Sequence, residues 1–178
     1  PKSNNSRIII NLKEGNGWDI STETFLEKVN DTIFQGYRYS KGWAKNQKEY
    51  FSVVFSKPAD SFYIIENDKK FPTNVKKGNG VIGFVNFKTN DNEIVYAKVG
   101  ISPVSIKNAH ENLLAEIKHW DFNKIKNSAK KSWNDELSKI KIETNDISKK
   151  RIFYTALYHT MVTPNLYHDI NGEYRGAD

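Results

Sequence analysis

The chain has 178 residues, of which 38% are hydrophobic, 13% aromatic and 27% charged, with a formal net charge of +6. Aromatic side chains bury large areas, so this composition excludes a chain disordered anywhere but at its ends. With no cysteine, a disulfide framework and a thiolate metal site are excluded, and no apolar run approaches the ~20 residues of a spanning helix.

The first hundred residues read as strands. Arg7–Leu12 is a β-branched run ended by a turn cluster at Glu14-Gly15-Asn16-Gly17. Thr24–Val29 and Thr32–Tyr39 flank Asn30-Asp31, a tight-turn position. Glu49–Ser56 stops at Lys57-Pro58, and the short run Ser61–Glu66 meets the turn residues Asn67-Asp68-Lys69-Lys70. Val81–Phe87 and Glu93–Ile101 flank Thr89-Asn90-Asp91-Asn92. Strands so closely spaced, with no helical pattern between them, predict an antiparallel sandwich or barrel.

The pattern then changes to helices. Ser102-Pro103 and Ser105 are start signals, and Ile106, Ala109, Leu113 and Ile117 share one helical stripe. Asp121 is the cap of a second helix, with Phe122, Ile125, Ala129, Trp133, Leu137 and Ile140 on one face and Lys124, Lys130, Lys131 and Glu136 on a solvated one. Asp146 is a cap candidate for a third helix from Lys149 to about Met161, closed by Pro164. Its apolar residues Ile152, Phe153, Ala156, Leu157 and Met161 cover more than one stripe, which predicts a well-buried helix. Strands followed by helices give a mixed β-then-α fold with a boundary near Ser102. The predicted divisions are 1–101, 102–142 and 143–178.

Motifs for chemistry are sparse. The four histidines, His110, His119, His159 and His168, lack the spacing of a zinc helix. His159 reads as a hydrogen-bonded structural residue, His110 and His119 as exposed. No phosphate-binding loop or nucleophile elbow occurs, and Asp91-Asn92-Glu93 lacks the glycine and distal glutamate of an EF-hand. Lysine is spread along the chain beside abundant Asn and Ile, with no binding motif, so no nucleic-acid partner is expected. The final segment gathers Tyr167, His168, Asp169, Gly172, Tyr174, Arg175 and Asp178. Carboxylates, an arginine and aromatic rings can hold a sugar's hydroxyls and ring face, and an ion-paired turn uses the same residues.

Several segments together resemble glycoside hydrolase family 92. They are Gly36-Tyr37-Arg38, Ser40-Lys41-Gly42-Trp43-Ala44, Tyr50-Phe51, Phe55-Ser56-Lys57-Pro58 and Val99-Gly100-Ile101-Ser102. Further along come Asn112-Leu113, Glu116, Trp120-Asp121-Phe122, Trp133-Asn134, Phe153–His159, Pro164, Asp169, Gly172, Tyr174-Arg175-Gly176 and Asp178. The resemblance runs in order from about Ile33 to the end. It implies a calcium-dependent exo-α-mannosidase acting by inversion on mannose-containing glycans, with α-1,2 or a related linkage. It also implies an N-terminal β-sandwich, a helical connector and an (α/α)6 catalytic barrel.

On that resemblance the chain covers the later part of an incomplete sandwich, the connector and the first barrel helix. The general acid, the general base and the calcium ligands are expected downstream. The residues carried over as substrate-binding are Asp178 and Arg175. A periplasmic or secreted enzyme is implied, and the remaining segments of the same polypeptide become partners. Both ends look cut, and an incomplete sandwich is expected to leave an apolar sheet face and unpaired edges exposed. The alternative reading is a β-sandwich carbohydrate-binding module, with Trp18, Trp43, Tyr37 and Tyr39 as its stacking platform.

Overall fold

In the computed structural model, which describes residues 2–176, the predicted order of strands then helices is found. The strands are β1 (Ser3–Asn11), β2 (Ile20–Lys28), β3 (Ile33–Lys41), β4 (Gln47–Phe55), β5 (Ser61–Glu66), β6 (Lys69–Phe71), β7 (Val75–Gly78), β8 (Ile82–Thr89) and β9 (Ala97–Ser102). They are followed by α1 (Ile106–Glu116), α2 (Phe122–Leu137) and α3 (Ile147–Thr160). The described residues fall into two compact units: one runs to Lys118 and resumes at His168, and the other is His119–Tyr167.

In the first unit, two antiparallel sheets form a sandwich. One has the strand order β1-β8-β5-β6 and the other β7-β2-β3-β4-β9. Local chemistry sets the turns. Asn30 Oδ1 accepts from the backbone N–H groups of Thr32 and Ile33, both at 2.8 Å, and so closes the β2–β3 connection. Asn67 and Asp68 both take positive φ, at 47° and 61°, as a two-residue hairpin requires. That tight turn lets β6 start at Lys69, where the sequence reading still placed turn residues.

Alternation along each strand divides the sandwich faces. Phe34, Phe55, Ile64, Val85 and Phe87 point inward and are fully or almost fully buried. Phe34 meets Phe55 edge-on at 5.5 Å between ring centroids and Phe62 at 5.2 Å. Leu12, Leu26, Ile64 and Val81 form a second core cluster. The expectation of a bare apolar sheet face is therefore corrected: β1, β5 and β8 supply the layer that covers β2, β3 and β4.

The outer face of the five-stranded sheet is also covered in part. Phe25, Tyr37 and Tyr39 stack in a row over β2 and β3, with Tyr37 and Tyr39 4.4 Å apart, and Tyr50 of β4 meets both tyrosines edge-on. Helix α1 lies over β4 and β9. Its N-cap is Ser105, whose hydroxyl accepts from the Asn108 N–H at 3.0 Å. Gly100 permits the contact, because a Cβ there would overlap the Ala109 carbonyl oxygen and lie 2.6 Å from Leu113 Cβ. His110, expected to be exposed, is half-buried and pairs its Nδ1 with Ser52 Oγ at 2.9 Å.

In the second unit, α2 and α3 start at the predicted caps Asp121 and Asp146. Trp133 meets Tyr158 edge-on at 4.6 Å, and the Tyr154 hydroxyl donates to the Ile140 carbonyl at 3.1 Å. The predicted burial of α3 is not found: none of its residues is buried, and Ile152 is 69% exposed. Its apolar residues point in several directions, and α2 can cover only one of them. His159 is exposed in the last turn of α3, against the expectation of a structural hydrogen bond.

The tight seat of α1 gives a test. Gly100→Ala should destabilise the sandwich by about 1–3 kcal/mol, the usual cost of overpacking. Hydrogen exchange across Ile106–Glu116 in the full-length protein would measure it. Unchanged protection would show that the helix does not press on β9.

Candidate functional site

The segment after α3 is held by one buried carboxylate. Asp169 is buried, and its Oδ2 accepts from Ser102 Oγ at 2.6 Å and Asn108 Nδ2 at 2.8 Å. Its Oδ1 accepts from Asn112 Nδ2 at 2.7 Å. The donors come from the end of β9 and from one face of α1, where Asn108 and Asn112 are a helical turn apart and both buried. Asn112 Oδ1 in turn accepts from the Ile170 N–H at 2.9 Å, and Asn108 Nδ2 also reaches Glu173 Oε2 at 2.8 Å. Within the segment, the Gly172 N–H donates to the Asp169 carbonyl and the Asp169 N–H to the Glu173 carbonyl, at 2.9 and 2.8 Å. The loop is thus fastened to the sandwich from Asp169 to Glu173.

Burial alone would raise the Asp169 pKa. The hydrogen bonds from Ser102, Asn108 and Asn112 and the nearby charge of His168 outweigh it and hold the group below its ordinary value of 3.8. The sequence reading listed Asp169 among sugar-binding residues of the tail. The structure makes it an anchor, with all three neighbouring side-chain donors committed to it. The overlooked signal was the Asn108/Asn112 pair, spaced by four beside the apolar stripe.

The predicted site residue Arg175 lies two residues beyond this anchor. Its Nη2 donates to the Asn46 carbonyl at 2.8 Å, which ties the segment to the β3–β4 loop. Asp178, the other predicted site residue, lies outside the described residues.

The same β3–β4 loop forms one wall of a cleft of about 430 Å3. Trp18, Asp19 and Glu14 come from the β1–β2 loop, Arg38 from β3, Trp43 from the β3–β4 loop and Glu49 from β4. Arg38 stands opposite Glu49 in the strand register. Its Nε donates to the Leu12 carbonyl at 3.1 Å, and its Nη1 pairs with Asp19 Oδ2. Gly15 lets the β1–β2 loop close over this pair, since a Cβ there would lie 2.7 Å from Arg38 Nη2. Of the four aromatic residues proposed as one platform, Trp18 and Trp43 line the cleft, whereas Tyr37 and Tyr39 pack on the outer sheet face with Phe25 and Tyr50. The platform is therefore corrected to the two tryptophans.

Among the described residues there is no group of three or more His, Cys, Asp or Glu side chains placed to hold a metal ion. The Asp169 carboxylate is filled by protein donors. These residues do not fit a calcium site. No helix among them is long and apolar enough to cross a membrane.

Residues 1–102 match the glycosyl hydrolase family 92 N-terminal domain, and residues 108–178 match the family's catalytic domain. The fold is similar to a family GH92 α-mannosidase from Bacteroides thetaiotaomicron, with a TM-score of 0.91 and 29% identity over 99% of this chain and 25% of that one. An inverting mannosidase of the family from the same organism superposes with a TM-score of 0.83 at 19% identity, over 97% of this chain and 23% of that one, a likeness of fold. An uncharacterized secreted glycosidase of Arthroderma benhamiae is 32% identical over 77 residues, 41% of this chain and 10% of that protein. The chain thus spans about a quarter of the solved relatives and a tenth of the fungal one.

The anchor yields a pH prediction. A carboxyl whose folded pKa is depressed contributes stability that is present above its unfolded value and lost as pH falls through the folded one. The Asp169 contribution to attachment of the 168–176 segment should therefore be present above the ordinary value of 3.8 and be lost as pH falls below it. Asp169→Asn turns one acceptor into a donor facing donors, and should cost about 1–3 kcal/mol at neutral pH. Faster amide exchange confined to 168–176 is the expected reading. Wild-type protection in Asp169→Asn would refute the anchor.

Proposed function

Because the chain belongs to glycosyl hydrolase family 92, we propose that the protein carrying it is a secreted or periplasmic exo-α-mannosidase, which releases terminal mannose from glycans with inversion. The observation that carries this reading is the agreement of both family domains with an α-mannosidase fold over 99% of the chain. The secreted glycosidase among the relatives supports export. The match of residues 108–178 to the catalytic domain favours the enzyme over a free-standing binding module.

Inversion requires an acid and a base about 6.5–9.5 Å apart, so that water is seated on the face of the sugar opposite the leaving group. Both groups, and the calcium ion that would contact the mannose hydroxyls, are assigned to residues outside this chain. The part left to this chain is positioning. Asp169 fixes the start of the segment, Arg175 ties it to the β3–β4 loop, and Asp178 follows three residues later as the proposed ligand of mannose hydroxyls. An α-1,2 or related linkage is the proposed substrate.

Three measurements on the full-length enzyme test this. Proton NMR of the fresh product should show β-mannose first, and α-mannose first would overturn inversion. Chelation by EGTA should abolish hydrolysis and added calcium should restore it. Asp178→Ala should lower kcat/KM at least about tenfold, the loss expected for one charged hydrogen bond. Unchanged kinetics would remove Asp178 from the pocket.

A further inference from the structure

We propose that the cleft between Trp18 and Trp43 is a saccharide-binding subsite on the sandwich, which takes an uncharged hexose unit of a glycan.

The cleft's size is the first ground. At about 430 Å3 it falls within the ~300–1,000 Å3 of small-molecule sites. Its aromatic walls are the second. Trp43 is 89% exposed and Trp18 69% exposed, on two separate loops that meet at one opening. An exposed indole offers an apolar face beside a polar edge, which suits the mixed C–H and O–H surface of a pyranose. The other two tryptophans, Trp120 and Trp133, are each only 38% exposed, so the bare indoles of this chain are those of the cleft.

Polar atoms supply the third ground. Asp19 Oδ1 and Arg38 Nη2 are buried without a hydrogen-bond partner, although the other ends of both side chains pair with each other. They lie beneath the surface of an opening whose exposed polar lining includes Glu14 and Glu49. The exposed Glu14 and Glu49 carboxylates can accept from the hydroxyls of a sugar.

Charge then selects among ligands. Three carboxylates and one guanidinium line the cleft, which disfavours acidic sugars and phosphates. The same charges disfavour a covering protein segment. Protein interfaces deplete Glu and Asp at their centres, because desolvating unpaired carboxylates is costly. Sugar hydroxyls donate to them instead.

The subsite rests on the glycosidase reading only for the choice of probe, α-mannan oligosaccharides. The test is calorimetric titration of the full-length protein, wild type, Trp43→Ala and Trp18→Ala. Trp43 is solvent-exposed, so its truncation leaves the core untouched. Each substitution should weaken binding about fivefold or more, and an acidic oligosaccharide of equal length should bind less tightly than the neutral one. Wild-type affinity in both variants, or no mannan binding by the wild type, overturns the subsite. Mannan binding that depends on Trp43 in a protein that cleaves no mannoside would strike the catalytic reading alone.

Discussion

The arrangement of this chain depends on a carboxylate buried away from water. Asp169 follows the last helix, yet its partners Ser102, Asn108 and Asn112 lie before that helix, 57 to 67 positions from Asp169. A charged group in such a place is stable only when its lone pairs are filled, and here each donor is itself held in place. Ser102 ends β9, and the two asparagines sit on α1, which is pressed on β9 through Gly100. The sandwich thus holds the helix, and the helix holds the segment that leads to Arg175. The return contact joins residues far apart in sequence within one compact unit.

Residues that serve as caps and turns were legible in the sequence because their chemistry is local. Ser105, Asp121 and Asp146 cap α1, α2 and α3 as expected, since an N-cap needs only an acceptor and the following backbone. The long strands were found to within a few residues for the same reason, their alternation being visible in one segment. Strands β6 and β7 were missed because they are short and rich in lysine, and lie on the edges of their sheets. Edge strands carry charge where central ones carry apolar residues, so composition there argues against the structure that forms.

What the sequence hid was set by partners far along the chain. His110 was read as exposed because it falls on the connector, and it is Ser52 on β4, 58 residues away, that meets its ring nitrogen. The aromatic platform failed for a different reason. Trp18, Tyr37, Tyr39 and Trp43 are near one another in sequence, but the side chains of Tyr37 and Tyr39 share a strand parity opposite to that of Arg38. The sheet lies between them and the cleft. Only the loop tryptophans, free of that parity, reach the opening.

Exposure separates the two kinds of apolar surface on this chain. On α2 and α3 it mixes aliphatic and aromatic side chains spread around the helices, as with Phe122, Ile147 and Ile152. Such a surface suits packing against further helices, because dispersion and water release need no directed contacts. Around Trp18 and Trp43 the apolar faces are few, and they stand beside Asp19, Arg38, Glu14 and Glu49. Packing another helix there would strand the Glu14 and Glu49 carboxylates, whereas a hydroxylated ring can donate to them. The difference in neighbouring polar atoms, rather than the extent of exposed carbon, is what assigns one surface to folding and the other to binding.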